Sequence, residues 1–164
     1  MKLTKPIHAF LMRLVKREGC PTRLSRSFCT GVMIAFCPLV GLHTLLAYII
    51  SRLWNLNLGV IFLTCITINN PWTAFGIYFL DYQVGCYISD NILQLPLEKY
   101  NPGWMQTLNQ WLSHYIGIPS ISLWAFFIGG GLLACSISVM LYPIMRYIFN
   151  HIIEQLRQID AQDQ

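Results

Sequence analysis

Three long apolar runs dominate the chain, and two of them are broken near their middles. The first, Phe28–Ile50, is long enough to cross a bilayer, because about 20 apolar residues cover the hydrocarbon. Pro38 removes a backbone donor in its middle, and Gly41, His43 and Thr44 follow closely. The second run opens at Leu58, reaches Ile68, stops at Asn69-Asn70-Pro71-Trp72-Thr73 and resumes from Ala74 to Ile88. Its first piece is too short for a perpendicular span and the whole is too long for one. That predicts a helix, a break and a second helix, either re-entrant or strongly kinked. The third run, from about Ile121 to Phe149, is again long enough to cross. Gly130, Ala134 and Ser138 recur in it at four-residue spacing, which lets another helix approach closely. Beyond Pro143, the positions Ile148, Ile152, Leu156 and Ile159 predict an amphipathic tail.

The stretches between these runs carry weaker patterns. Ile7, Phe10, Leu11, Leu14 and Val15 share one helical face, with His8, Arg13, Lys16 and Arg17 mostly on the other. Such a short basic helix suits an anionic membrane surface, or it packs on the protein's own core. In the 90–120 region, Asn101-Pro102-Gly103 predicts a helix start with Asn101 as cap and Pro102 at the first position. Trp104, Leu108, Trp111, Leu112 and Tyr115 then share a face, as expected at a membrane interface. The organisation read from sequence is therefore 1–27 basic amphipathic, 28–89 two Pro-interrupted apolar regions, 90–120 interfacial, and 121–164 a transmembrane helix with its tail.

Composition supports this reading. Hydrophobic residues make up 55% of the 164 and charged residues 11%, where a soluble domain carries roughly a quarter charged. The net charge of +4 does not point to nucleic acid, because the basic residues flank apolar runs and form no stripe beside aromatic platforms. Seven basic residues precede the first run, Arg146 and Arg157 come at or after the end of the last, and Arg52 and Lys99 fall between. Lys/Arg bias sets orientation, so both termini are expected in the cytoplasm with Arg52 and Lys99 outside. On that scheme the first and last runs cross, and the broken middle dips in and returns. The N-terminal apolar stretch Ile7–Met12 is too short for a signal-peptide core. Six cysteines show no metal-binding spacing, and the five within or beside apolar runs read as small buried hydrophobes.

The two breaks are the place for chemistry. A helix broken in lipid leaves amides and carbonyls that only protein or water can cover, and paired interruptions point to a transporter-type site. Pro38, Gly41 and Pro71 mark the breaks. His43, Thr44, Asn69, Asn70 and Thr73 supply the polar side chains, either to a ligand or simply to the freed backbone. Asp81 is the only acid inside an apolar run, and an intramembrane carboxylate is a functional candidate. It is expected to be neutral, paired with Arg52 or His43, or near the interface and reaching water; proton coupling is the sharper role. No phosphate loop, nucleophile–base set or carboxylate pair stands in the apolar regions. An enzyme is disfavoured, and no cofactor or metal is expected.

The ordered elements Gly31-x6-Pro38-x-x-Gly41-Leu42-His43-Thr44, then Asn57, Asn69-Asn70-Pro71-Trp72-Thr73 and Tyr82-x-x-Gly85, resemble a bacterial membrane family, domain of unknown function 2062. The chain departs from the pattern in having Arg26-Ser27 where a Ser-Pro often precedes the first run. The resemblance, over about residues 20–150, implies an all-α integral membrane protein of the bacterial cytoplasmic membrane, multi-pass, with broken or re-entrant helices and a long C-terminal transmembrane helix. Two functional readings follow. One is a small transporter or lipid-handling protein with its site at the breaks. The other is a membrane scaffold or assembly factor. Expected partners are membrane lipids, and a second copy or other membrane proteins.

Overall fold

The computed structural model describes residues 20–38, 41–116 and 121–162, and every regular element in them is helical. The basic amphipathic segment expected over 6–17 lies outside the described residues. Helix α1 spans Pro21–Ala35, α2 His43–Leu53, α3 Leu58–Ile68 and α4 Pro71–Ile88. A π-helical turn at Ser89–Leu93 and a 3-10 turn at Leu97–Tyr100 lead to α5, Gly103–Ile116. A 40-residue α6, Leu123–Gln162, closes the chain with Pro143 inside it.

Local chemistry sets these limits. Pro21 opens α1 at a position where its missing N–H costs nothing. Ser25 and Ser27 return their hydroxyls to the carbonyls of Pro21 and Arg23 at 2.8 Å, so both are buried without stranding a polar atom. The helix stops short of Pro38, where Cys37 N–H donates to Ile34 O at 3.0 Å. Gly41, at φ +87°, then turns the chain through backbone space that L side chains rarely enter. Asn57 starts α3 by accepting from Val60 N–H at 3.1 Å. At the second break Asn70 accepts from Trp72 and Thr73 N–H, while Thr73 Oγ1 accepts from Asn70 N–H, a complete capping box.

The first apolar run folds back on itself. Arg23 Nε donates to Asn55 O at 2.6 Å and its Nη2 to Asn55 Oδ1 at 3.1 Å, and Asn57 N–H donates to Ser27 Oγ at 2.9 Å. The turn after α2 therefore lies beside the start of α1, and Arg52 belongs to the same end of the molecule as Arg23 and Arg26. This corrects the expected separation of Arg52 from the N-terminal arginines: α1 and α2 form a hairpin. The long run reads as a span because nothing in hydropathy reveals the return, which the break and the Arg23–Asn55 pairing enforce.

Helix α3 runs alongside α1 in the same direction, from Val60 beside Leu24 to Cys65 beside Ile34 and Ala35. The approach is close: a Cβ on Gly31 would fall 2.7 Å from Ile61 O and from Thr64 Cβ. After the second break the axis turns by 82°, and α4 carries on to the opposite end, antiparallel to α6. There Cβ atoms on Gly85 and Gly129 would lie 1.8 Å from Ala125 O and Asp81 O. The stripe predicted to admit a helix does so. Gly130 faces the end of α1, Ala134 is buried, and Ser138 Oγ donates to Cys29 O at 3.1 Å.

Asn101 does not cap α5. Its amide spans the start of α6 instead, with Nδ2 donating to Ile121 O at 2.8 Å and Oδ1 accepting from Leu123 N–H at 2.9 Å. Asn109 binds both backbone groups of Ile121. Helix N-termini have four free N–H groups, and the tertiary partner wins Asn101 from the local one.

Candidate functional site

The two breaks meet. His43, first residue of α2, places Nε2 3.0 Å from Cys37 O at the end of α1 and 3.4 Å from Asn69 Nδ2 at the end of α3. Asn69 Nδ2 also lies 2.9 Å from Tyr78 Oη on α4. One nitrogen cannot donate to the carbonyl and accept from the amide at once. The shorter contact decides, so Nε2 carries the proton toward Cys37 O. Asn69 Nδ2 then rests beside the imidazole and donates its own hydrogen bond to Tyr78 Oη. The result is a polar chain linking four helices. A pocket of about 170 Å³ opens on it, lined by His43, Thr44, Phe62, Cys65, Ile66 and Asn69.

The other predicted residues divide. Thr44 lines this pocket and also a wider apolar cleft between α2 and α3 that Gly41, Tyr48 and Phe62 share. Asn70 and Thr73 do not reach the pocket; beyond the capping box, Asn70 Nδ2 donates to Thr67 O and Thr73 Oγ1 to Ile68 O. They hold the second break open in a fixed shape. Pro71 stands at the first position of α4, and Pro38 packs at the other break against α6.

Asp81 sits one turn after Tyr78 on α4. It is 0% exposed, and among the described residues neither carboxylate oxygen has a hydrogen-bond partner. The expectations of a pair with Arg52 or His43, or of an interfacial acid reaching water, are overturned by this burial; Arg52 is exposed at the basic end. Asp81 Cγ, Phe36 O and Pro38 Cδ all lie within 3.4 Å of the point a Cβ on Gly130 would occupy. The carboxyl is therefore sealed between α4, α6 and the first break.

Tyr78, Gly129 and the carbonyls of Phe36 and Cys37 complete the site, and none of them stands out in the sequence. The i, i+3 spacing of Tyr78 and Asp81 was the available signal, since it puts both on one face of a helix. Phe126 of α6 packs on that face, 5.7 Å from the Tyr78 ring and 6.3 Å from the Tyr82 ring. Among the described residues no three His, Cys, Asp or Glu gather into a metal site.

No curated protein and no solved structure matches the chain. A family model matches residues 4–158, nearly the whole length. The chain belongs to the bacterial family described as "Uncharacterized protein conserved in bacteria (DUF2062)".

Proposed function

We propose that this protein is an integral component of the bacterial cytoplasmic membrane, a small transporter-type protein whose substrate path passes the junction of the two breaks. The observation that carries this reading is the meeting of His43, at the start of α2, with Asn69, at the end of α3, on the lining of one pocket, with Tyr78 bound behind Asn69. Freed helix ends facing a cavity are what discontinuous transporter helices use to hold a solute.

Membrane embedding draws support from the distribution of side chains. The tight contacts are made by Gly31, Gly85, Gly129, Ala125 and Ala134, whereas large apolar groups point outward, Trp72 at 92% exposure and Phe75 at 86%. A water-soluble monomer rarely exposes contiguous apolar patches beyond a few hundred Å², and small residues between helices are the membrane pattern. Leu123–Gln155 is long and apolar enough to cross, and only 22% of its apolar window is buried, unlike the core helix of a soluble protein. No Asp, Glu, Lys or Arg occurs between Lys99 and Arg146, and Trp124 to Arg146 rises about 33 Å along α6, against about 30 Å of hydrocarbon.

The hairpin sharpens the charge asymmetry. Arg23, Arg26, Arg52 and Arg146 share one end, while Asp90 and Lys99 stand at the other, so the arginine end is the cytoplasmic one. On this scheme the α1–α2 hairpin enters and returns, α3 and α4 together form one bent crossing, and α6 is the second. The first break lies ten residues beyond Arg26, about 15 Å deep, near mid-membrane.

Native cysteines test the pocket. With membranes opened on both faces, a charged maleimide is expected to modify Cys65, which lines the pocket, and Cys37 at the first break, both more slowly than exposed Cys20. Complete protection of Cys37 and Cys65 while Cys20 reacts at its normal rate, resolved by peptide mass spectrometry, would rule the water-filled junction out.

A further inference from the structure

Burying an ionised carboxylate without a partner is among the most costly arrangements a protein can hold, so Asp81 must carry something. Two occupants neutralise it, a metal cation or a proton. A hard cation draws several oxygen ligands to within about 2.0–2.6 Å, which crowds them around the carboxylate. Asp81 has no such cage. Neither oxygen has a partner among the described residues, and the surfaces pressed against this part of α4 are Ala125, Gly129 and Gly130, with Phe36 O and Pro38 Cδ at the first break. The ionisable groups on the surrounding elements are Cys37 and His43 at that break, Cys65 on α3, and Tyr78 and Tyr82 on α4 itself; α6 offers none at the contact. Among the described residues, no Lys or Arg joins them.

We propose that Asp81 is a proton-binding site that couples protonation to the seating of the first break on α6. With Phe36–Pro38 seated against Gly130, the carboxyl is the neutral acid. When the break lifts, water enters and the acid O–H bond breaks. The electron pair stays on the carboxylate and water takes the proton as hydronium; reseating reverses the step. The proposal rests on the transporter-type reading above and names its coupling ion.

The test is infrared spectroscopy of the full chain in vesicles of ether-linked phosphocholine and phosphoglycerol lipids, which have no ester C=O of their own. At neutral pH the wild type is expected to show the C=O stretch of a protonated carboxyl from Asp81, because the remaining acids lie outside the apolar runs. D81N loses that band. If D81N does not fold, D81E is expected to keep the band at a shifted frequency. A wild type without the band at neutral pH overturns the proposal. So does a band bleached by sodium chloride but not by choline chloride at fixed pH, which would make sodium the occupant. The thiol result is independent, so a water-accessible Cys65 without the band would sink the proton and leave the pocket standing.

Discussion

Gly129→Ala and Gly85→Ala are expected to separate α4 from α6 and leave little folded protein. The added methyl on Gly129 would stand 1.8 Å from Asp81 O and 2.6 Å from Gly85 N, and the one on Gly85 1.8 Å from Ala125 O. These obstacles are backbone atoms, which cannot rotate away as a side chain tip does. The helices must part by more than an ångström, and the loss of packing along the contact is expected to exceed about 3 kcal/mol, the upper part of the range for overpacked cores. Gly76→Ala and Gly131→Ala supply the contrast. Nothing lies within 4 Å of either new Cβ, and Ala is the better helix former by up to about 1 kcal/mol, so both are expected to match or exceed the wild type. Thermal unfolding in detergent, followed by monodispersity, separates the two pairs. Equal behaviour of all four variants would mean that α4 and α6 are not in contact.

Asn69→Leu has the second large effect, on the junction. Leucine nearly preserves volume but removes the group between His43 and Tyr78, leaving the Tyr78 hydroxyl without its described partner. A buried polar group so stranded costs about 1–3 kcal/mol. Spread over a closed and an opened junction, a difference of about 1.4 kcal/mol is tenfold in population. Modification of Cys37 by the charged maleimide is therefore expected to rise roughly tenfold, with Cys20 unchanged. Asn70→Ala, which removes a cap at the same break, is expected to destabilise α4 by about 1 kcal/mol through a different bond set. An unchanged Cys37 rate in Asn69→Leu would show that the amide does not hold the two breaks together.

The elements of this fold were legible where the signal was local. Pro38 with Gly41, and Asn69-Asn70-Pro71, announce both breaks, because a missing donor, a left-handed turn and a capping amide act within a few residues. The small-residue stripe on α6 announced a neighbour for the same reason. What hydropathy could not supply was direction. Phe28–Ile50 has the length of a span, and its return depends on Arg23 and Ser27 meeting Asn55 and Asn57 about thirty residues later. Asn101 likewise reads as a cap for the nearer helix, although its stronger claim comes from Ile121 and Leu123.

The site shows the same division. His43 and Asn69 stand out in the sequence by their chemistry, and they do meet; Asn70 and Thr73, of the same polar kind, are consumed by the backbone of their own turn. Asp81 was visible as an unusual residue, but its isolation was not, because it follows from Gly129 and Gly130 allowing α6 to close over it. Glycines leave no mark in a search for functional side chains, yet here they determine the environment of the carboxyl.

Everything proposed for function depends on the hairpin formed by α1 and α2 entering the membrane and returning to the arginine side. Single-cysteine forms of the full-length protein, Leu53→Cys and Lys99→Cys, measure this directly with an impermeant thiol reagent on intact cells and on inside-out vesicles. Leu53 and Lys99 are exposed and mark opposite ends. The expected result is Leu53→Cys labelled only in inside-out vesicles, and Lys99→Cys labelled only in intact cells. Labelling of Leu53→Cys from the outside would make Phe28–Ile50 a crossing helix and contradict the hairpin.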